Sequence, residues 1–284
     1  MSLAFFVSDI HGSISRYEAL FKEIESGLPD IVFIGGDILP HGFSVDSDYD
    51  NFILDFMVPR FNLLMNKLKD HYPMIYLILG NDDPASFETF VVQAEKKGIW
   101  KYMNMKTVNF NGYNIYGYNY VPPTPFMLKD WENYDVSRYV DPGCVPVEEG
   151  HFSIKLNKDD LLYRTIQNDL KELTKDETDF SKSIFLFHSP PYNTFLDRAA
   201  LDGRMFEYVP LDVHVGSIAI KRFVEEKKPF ITMHGHVHES SRLTGCWCEK
   251  LGTTHSFNAA FEGKQLSLIK FEIENPGNAI RILI

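Results

Sequence analysis

Residue types that ligate divalent cations recur in this chain directly after short apolar runs. Asp9 and His11 follow Leu3 to Val7, Asp37 follows Asp30 to Ile34, and Asn81 follows Met74 to Leu79. His188 ends the run from Ser183 to Phe187, and His236 and His238 come just after Pro229 to Met233. Two carboxylates, four imidazoles and one amide suffice for two metal ions if one carboxylate bridges them. Hard and borderline divalent ions accept this mixture of oxygen and nitrogen, and the absence of thiolate argues against a structural zinc site. Gly235 permits a tight turn, so His236 and His238, spaced two apart on an extended segment, are expected to project toward one point. Asp9 and His11 alternate in the same sense.

The apolar runs read as buried strands, and three of them lead through a polar loop into a helical pattern. The expected helices run from Ser13 or Ser15 to about Ile24, from Phe52 to Leu68 and from Ala85 to Lys97. This repetition predicts an α/β fold with its site at the carboxyl ends of strands. Trp100 to Tyr118 reads as short strands at a sheet edge with a hairpin at Asn111-Gly112. The proline-rich stretch from Tyr120 to Asn157 is too aromatic for a disordered excursion, and a loop this long is usually a lid or binding segment. A polar helix is expected over Asp159 to Leu173, and another from Ser217, whose hydroxyl can cap it, to about Glu226. Backbone amides at that helix start can also bind an anion, ordinary capping being the first reading. Leu243 to Trp247, Thr253 to Phe257, Gln265 to Ile273 and Ile280 to Leu283 read as antiparallel strands completing a second sheet. No repeat or low-complexity linker divides the chain, so residues 1–284 are expected to form one domain.

Composition narrows the function. A formal net charge of -11 with no basic run disfavours a long polyanion and suits a small phosphorylated substrate. Apolar runs fall short of a membrane span, and Leu3 to Val7 lacks the basic flank and length of a signal peptide, so a cytoplasmic protein is expected. Cys144, Cys246 and Cys248 are too few and odd for a disulfide framework and fit a reducing compartment. Cys246 and Cys248 are expected to share one strand face and to pack there.

Asp9-Ile10-His11, Gly36-Asp37, Gly80-Asn81-Asp82-Asp83, His188 and Gly235-His236-Val237-His238 occur in that order along nearly the whole chain. The series resembles the calcineurin-like metallophosphoesterase superfamily, with its D-x-H, G-D, G-N-H-[D/E], lone H and G-H-x-H pattern. The resemblance implies a four-layer α/β/β/α sandwich of two mixed sheets, with a dinuclear metal site at the strand ends. It assigns one ion to Asp9, His11, Asp37 and His238, and the other to Asp37, Asn81, His188 and His236. It departs from the pattern at Asp82, which stands where many members have histidine.

The expected chemistry is hydrolysis of a small phosphodiester: a water bridging two cations loses its proton and attacks phosphorus in line while the cations neutralise the phosphoryl oxygens. Manganese, iron, zinc and nickel all suit the ligands. A non-catalytic interaction module on the same scaffold is the competing reading, disfavoured because all seven ligand positions are kept. A nuclease is disfavoured by the charge. Asp83 is expected to orient a metal ligand. Asp82, beside two cations, is expected to be ionised and unable to donate a proton, unless His214 or His255 swings in as the acid. The segment from Tyr120 to Asn157 is expected to cover the site and set substrate choice.

Overall fold

The computed structural model describes residues 1–41, 50–156 and 161–284. Strands β1 (Leu3–Val7), β2 (Ile31–Gly35), β3 (Met74–Ile78) and β4 (Lys101–Tyr102) run parallel to one another in that order. Beyond β1 the same sheet continues antiparallel into two strands from the far end of the chain, Ser267–Glu272 and Asn275–Leu283. The second sheet has β5 (Lys106–Phe110) on its edge, antiparallel to β6 (Tyr113–Tyr118). After β6 come β7 (Ser183–Phe187), β10 (Ile231–His234) and β12 (Thr254–Asn258), all parallel, and then β11 (Cys248–Leu251) antiparallel on the other edge. Two short strands, β8 (Met205–Phe206) and β9 (Val209–Pro210), form a separate ribbon. The C-terminal pair above is β13 and β14.

Alternation along each strand builds the layers. Phe6, Phe33, Ile184, Leu186 and Met233 face the gap between the sheets and are fully buried there. Phe5, Val32, Ile34 and Leu77 face the other way, onto helices α1 (Ile14–Gly27), α2 (Val58–Leu68) and α3 (Glu88–Lys96). On the far side Phe185 and Phe187 pack against α4 (Ile166–Leu173) and α5 (Ile218–Lys227). The result is helices, sheet, sheet, helices. Strands covered on both faces must be apolar throughout, which is why these runs are continuous rather than alternating.

Ser13 caps α1 by accepting from the Arg16 amide. The pattern from Phe52 opens with a π-helical stretch, Ile53–Met57, and becomes regular only at α2, where Pro59 in the first turn has no amide hydrogen to lose. Ala85–Phe87 is a 3-10 turn ahead of α3. Thr165 caps α4, so within the helix expected over Asp159 to Leu173 a turn at residues 162 and 163 intervenes before Ile166, and positions 159 and 160 lie outside the described residues. The hairpin stands at Asn111-Gly112, both in the left-handed region with φ 49° and 84°.

Three expectations are corrected. Residues 243–247 are not a strand: a short helix, α6 (Ser240–Thr244), is stopped by Gly245 at φ 75°, and the strand begins at Cys248. Cys246 therefore does not share a strand face with Cys248. The C-terminal strands do not all complete the second sheet. Leu268 faces the helices over β1 while Ile269 and Phe271 face the gap, so β13 buries both faces beside β1, and β12 joins β10 in parallel. Among the described residues no helix is long and apolar enough to cross a membrane.

Phe33 is fully buried between the sheets, and truncating a buried phenylalanine typically costs about 3–5 kcal/mol. Phe33→Ala is therefore expected to shift the denaturant midpoint strongly downward. An unchanged midpoint would mean that the gap between the sheets is not the core.

Candidate metal centre

β1, β2 and β3 in one sheet and β7 and β10 in the other end at the same rim of the sandwich, and the candidate ligands lie just past those ends. The loops do not continue the strands. Asp9, His11, Asp37 and His236 have φ of 55°, 50°, 51° and 69°, the left-handed region that non-glycine residues rarely occupy. The extended geometry expected for Asp9/His11 and His236/His238 is thus replaced by tight turns. Backbone bonds hold the turns: the amides of Asp9, His11 and Gly12 donate to the carbonyls of Gly36, Asp37 and Ile38 at 3.0, 2.8 and 3.1 Å. The His236 amide donates to Asp9 Oδ1 at 3.0 Å. Gly235 matters for close approach, because a Cβ there would lie 2.3 Å from Asp9 Oδ2. Gly80 is similar, 2.3 Å from Asp37 Oδ1.

Within this rim, Asp9, His11, Asp37 and His238 offer atoms that all lie within 4.8 Å of one another, and so do Asp37, His188 and His236. Asp37 belongs to both groups. His238 Nε2 is 3.0 Å from Asp9 Oδ1, and His188 Nε2 is 3.2 Å from Asp37 Oδ2. Asn81 Oδ1 also lies 3.2 Å from His188 Nε2, which places the amide at the second group. All seven expected ligands are therefore brought together.

The chemistry of these donors fits a cation. His188 Nδ1 donates to the Gly35 carbonyl at 2.7 Å, which in the neutral ring leaves Nε2 as a lone pair facing two oxygens that can only accept. His11 Nε2 and His238 Nε2 face each other at 3.1 Å. Burial opposes charge on His188, but Asp37 and Asp9 push its pKa up to about 10. Burial opposes ionisation of Asp9, yet the hydrogen bond and charge of His238 bring it down to about 2. Asp37, against the same burial, is held lower still by His188 and His11. Burial and His188 push His236 down to about 4, so it is a neutral nitrogen donor. Asp9 and Asp37 thus favour protons on His188 and His238, positive charge that a bound cation would supply in their place.

The residues around the cluster depart from expectation in informative ways. Asp82 donates its amide to Asp37 Oδ1 at 2.9 Å, but its carboxylate turns to His41 Nδ1 at 2.6 Å. His41 stacks on His11 with centroids 3.8 Å apart. No sequence signal marks His41, which follows no apolar run and carries no motif. Asp83 does not orient an imidazole. Fully buried, it accepts from the amides of Ile38, Leu39 and Gly80 at 2.9, 2.8 and 2.9 Å, tying the Asp37 loop to the Asn81 loop. Burial and Asp37 push its pKa up to about 8 against those amides. His214 Nδ1 bonds the buried Asp197 at 2.8 Å. His255 pairs with Ile231, at the start of β10, about 10 Å along the strand from the His234 end, so it does not reach the cluster.

The segment after Tyr120 is anchored. Trp131 Nε1 donates to the Asp83 carbonyl at 2.7 Å, and buried Lys129 and Glu132 pair at 2.6 Å. Asp135 accepts from Ser217 Oγ and the Ile218 amide, both at 2.6 Å, so the anion at the start of α5 is the chain's own. Between this segment and the loop after Tyr192 lies a cavity of about 510 Å³ that reaches His236.

Over residues 4–240 the chain matches the calcineurin-like phosphoesterases. The chain belongs to that family. A protein of Thermus thermophilus, TT1561, shares 14% identity over 99% of this chain and 98% of its own, with a TM-score of 0.57. An archaeal phosphodiesterase is 8% identical over 99% of both chains, with a TM-score of 0.42. No curated protein matches the sequence. Calcineurin-like phosphoesterases bind divalent metals, and the Asp9, His11, Asp37 and His238 group could hold one here.

Asp83→Ala would leave three buried amides without an acceptor, at about 1–3 kcal/mol each. The variant is expected to melt well below the parent and to bind manganese more weakly by calorimetry. Equal manganese affinity would show that the two loops hold their places without Asp83.

Proposed function

We propose that this phosphoesterase hydrolyses a small phosphodiester with two divalent ions, one held by Asp9, His11, Asp37 and His238 and the other by Asp37, Asn81, His188 and His236. The observation that carries the reading is the sharing of Asp37 by both groups of candidate ligands. When bound, such ions activate water for in-line attack on phosphorus and neutralise charge on the phosphoryl oxygens. The chain's part is positional. Gly35 fixes the tautomer of His188, Asp83 sets the loops of Asp37 and Asn81, and the Asp82 amide holds one Asp37 oxygen. Manganese, iron, zinc and nickel all suit this nitrogen and oxygen set.

Preference for a diester rests on Asp82. Its carboxylate is engaged by His41 Nδ1 at 2.6 Å, and in this reading it serves that contact and not a departing oxygen. Substrates whose leaving groups need little protonation are favoured, and His214 lines the cavity beside His236 as the candidate acid for others. The anchored segment from residue 120 acts as a wall for this cavity, setting which esters fit. The chain's net charge of -11 suits a compact monoanion better than a nucleic acid strand.

Protein supplied with manganese is expected to release nitrophenol from bis(p-nitrophenyl) phosphate, and Asp37→Asn to abolish this and lower the bound metal to one ion or none. Two metals and normal turnover in Asp37→Asn would overturn the bridging role, and no turnover with any of the four metals would overturn the enzyme reading. Asp82→His is expected to raise the ratio of monoesterase to diesterase turnover, measured with phenyl phosphate and a phenyl diester. An unchanged ratio would mean that residue 82 does not select the ester class.

A further inference from the structure

We propose that the cavity beside His236 receives one ester substituent of the substrate, and that this substituent is apolar or aromatic and carries no negative charge. The proposal rests on the phosphodiesterase reading and names the substrate class for that site. His236 and Val237, from the loop leaving β10, line the cavity, so it opens from the group of Asp37, His188 and His236. Its volume of about 510 Å³ falls in the range of small-molecule sites, roughly 300–1,000 Å³.

The walls are apolar where the fold does not require it. Trp131 and Tyr134 are 4% and 1% exposed and anchor their segment, whereas Phe126 and Tyr139 from the same segment line the cavity while 57% and 69% exposed. Leu201 and Leu211 face them from the loop after Tyr192. Exposed aromatics gathered around a concave surface mark a ligand site more often than a defect of packing.

Charge selects among apolar ligands. Asp141, Asp212 and Glu239 stand in the lining, and among the described lining residues there is no lysine or arginine. A carboxylate or second phosphate would enter against these charges with nothing to pair with. The cavity on the other flank, about 440 Å³ beside His11, His41 and His238, carries Arg16 and Lys264 together with Glu262, whose carboxylate is paired by Arg242. Acidic groups on a substrate are therefore directed away from the His236 side. Asp212 accepts from the Tyr192 hydroxyl at 2.6 Å, and Glu239 Oε1 from the Ala200 amide at 3.0 Å. Each carboxylate keeps lone pairs for a hydroxyl, amine or heteroaromatic N–H on the substituent.

The test uses the full chain loaded with manganese and two symmetrical diesters, bis(p-nitrophenyl) phosphate and bis(p-carboxyphenyl) phosphate, so that the same group enters whichever arm departs. Leu211→Trp, which fills the cavity, and Phe126→Ala, which strips its wall, are expected to raise KM for the nitrophenyl diester about tenfold or more with little change in kcat or metal content. Asp212→Lys is expected to shift the ratio of kcat/KM toward the carboxyphenyl diester by about tenfold. Intrinsic differences between the leaving groups cancel in that comparison. Unchanged KM in both cavity variants, or an unchanged ratio in Asp212→Lys, would overturn the proposal. If the parent hydrolyses no phosphodiester, the phosphodiesterase reading fails by itself, and calorimetry with diphenyl phosphate then tests the cavity. Binding lost in Leu211→Trp supports it, and absence of binding to the parent overturns it.

Discussion

Two carboxylates, Asp9 and Asp37, are carried almost wholly out of water, and among the described residues their ion-pair partners are all imidazoles. A buried carboxylate without compensating charge is costly, and a neutral imidazole compensates only by taking a proton. Protons are a poor answer here, because His188 and His238 compete with His236 and His11 for the same field. Divalent cations answer it better, since the imidazoles can then remain neutral ligands. The architecture makes this demand possible. Only where parallel strands of two facing sheets end together can five loops deliver seven polar groups to one small volume.

Bringing the groups together requires backbone that most residues avoid. Four of the seven sit in the left-handed region, a conformation that costs on the order of 1–3 kcal/mol per residue where it is strained. The neighbouring structure over-determines it. Asp9, His11 and Gly12 are zipped to the Asp37 loop by three amides, and the His236 amide is fixed on the Asp9 carboxylate. Strain and ligand geometry are thus one feature, since the turn that strains Asp37 is the turn that lets two groups share it.

Strand positions were legible because burial on both faces leaves an unbroken apolar run: β1 and β7 fall where the runs of Leu3 to Val7 and Ser183 to Phe187 place them. The candidate ligands stood out for the same reason, as polar residues at the ends of such runs, and the fold gathers them at one rim. Local spacing could not report which sheet β13 joins, because that depends on β1, far away in the chain. Nor could it report that Asp9 and His11 turn rather than alternate, because the cause is a backbone ladder to another loop. His41 was invisible, as an exposed loop histidine acquires meaning only from Asp82 and His11 beside it. Asp135 illustrates the converse: a helix start able to bind an anion was legible, but that the anion comes from this chain was not.

The wall of the cavity and the metal loops meet at one residue. The Asp83 carboxylate holds the amides of Ile38, Leu39 and Gly80, and its carbonyl receives the Trp131 indole. Lys129 and Glu132, buried as a pair on either side of that tryptophan, stiffen the segment that carries it. A buried pair of this kind contributes little net stability, but it penalises any arrangement that separates the charges. The segment that walls the cavity is therefore referenced to the same loops that position Asp37 and Asn81. Asp83 thus joins the cavity wall to the loops of the cluster, which is why a segment outside the core strands keeps a fixed relation to the rim where those strands end.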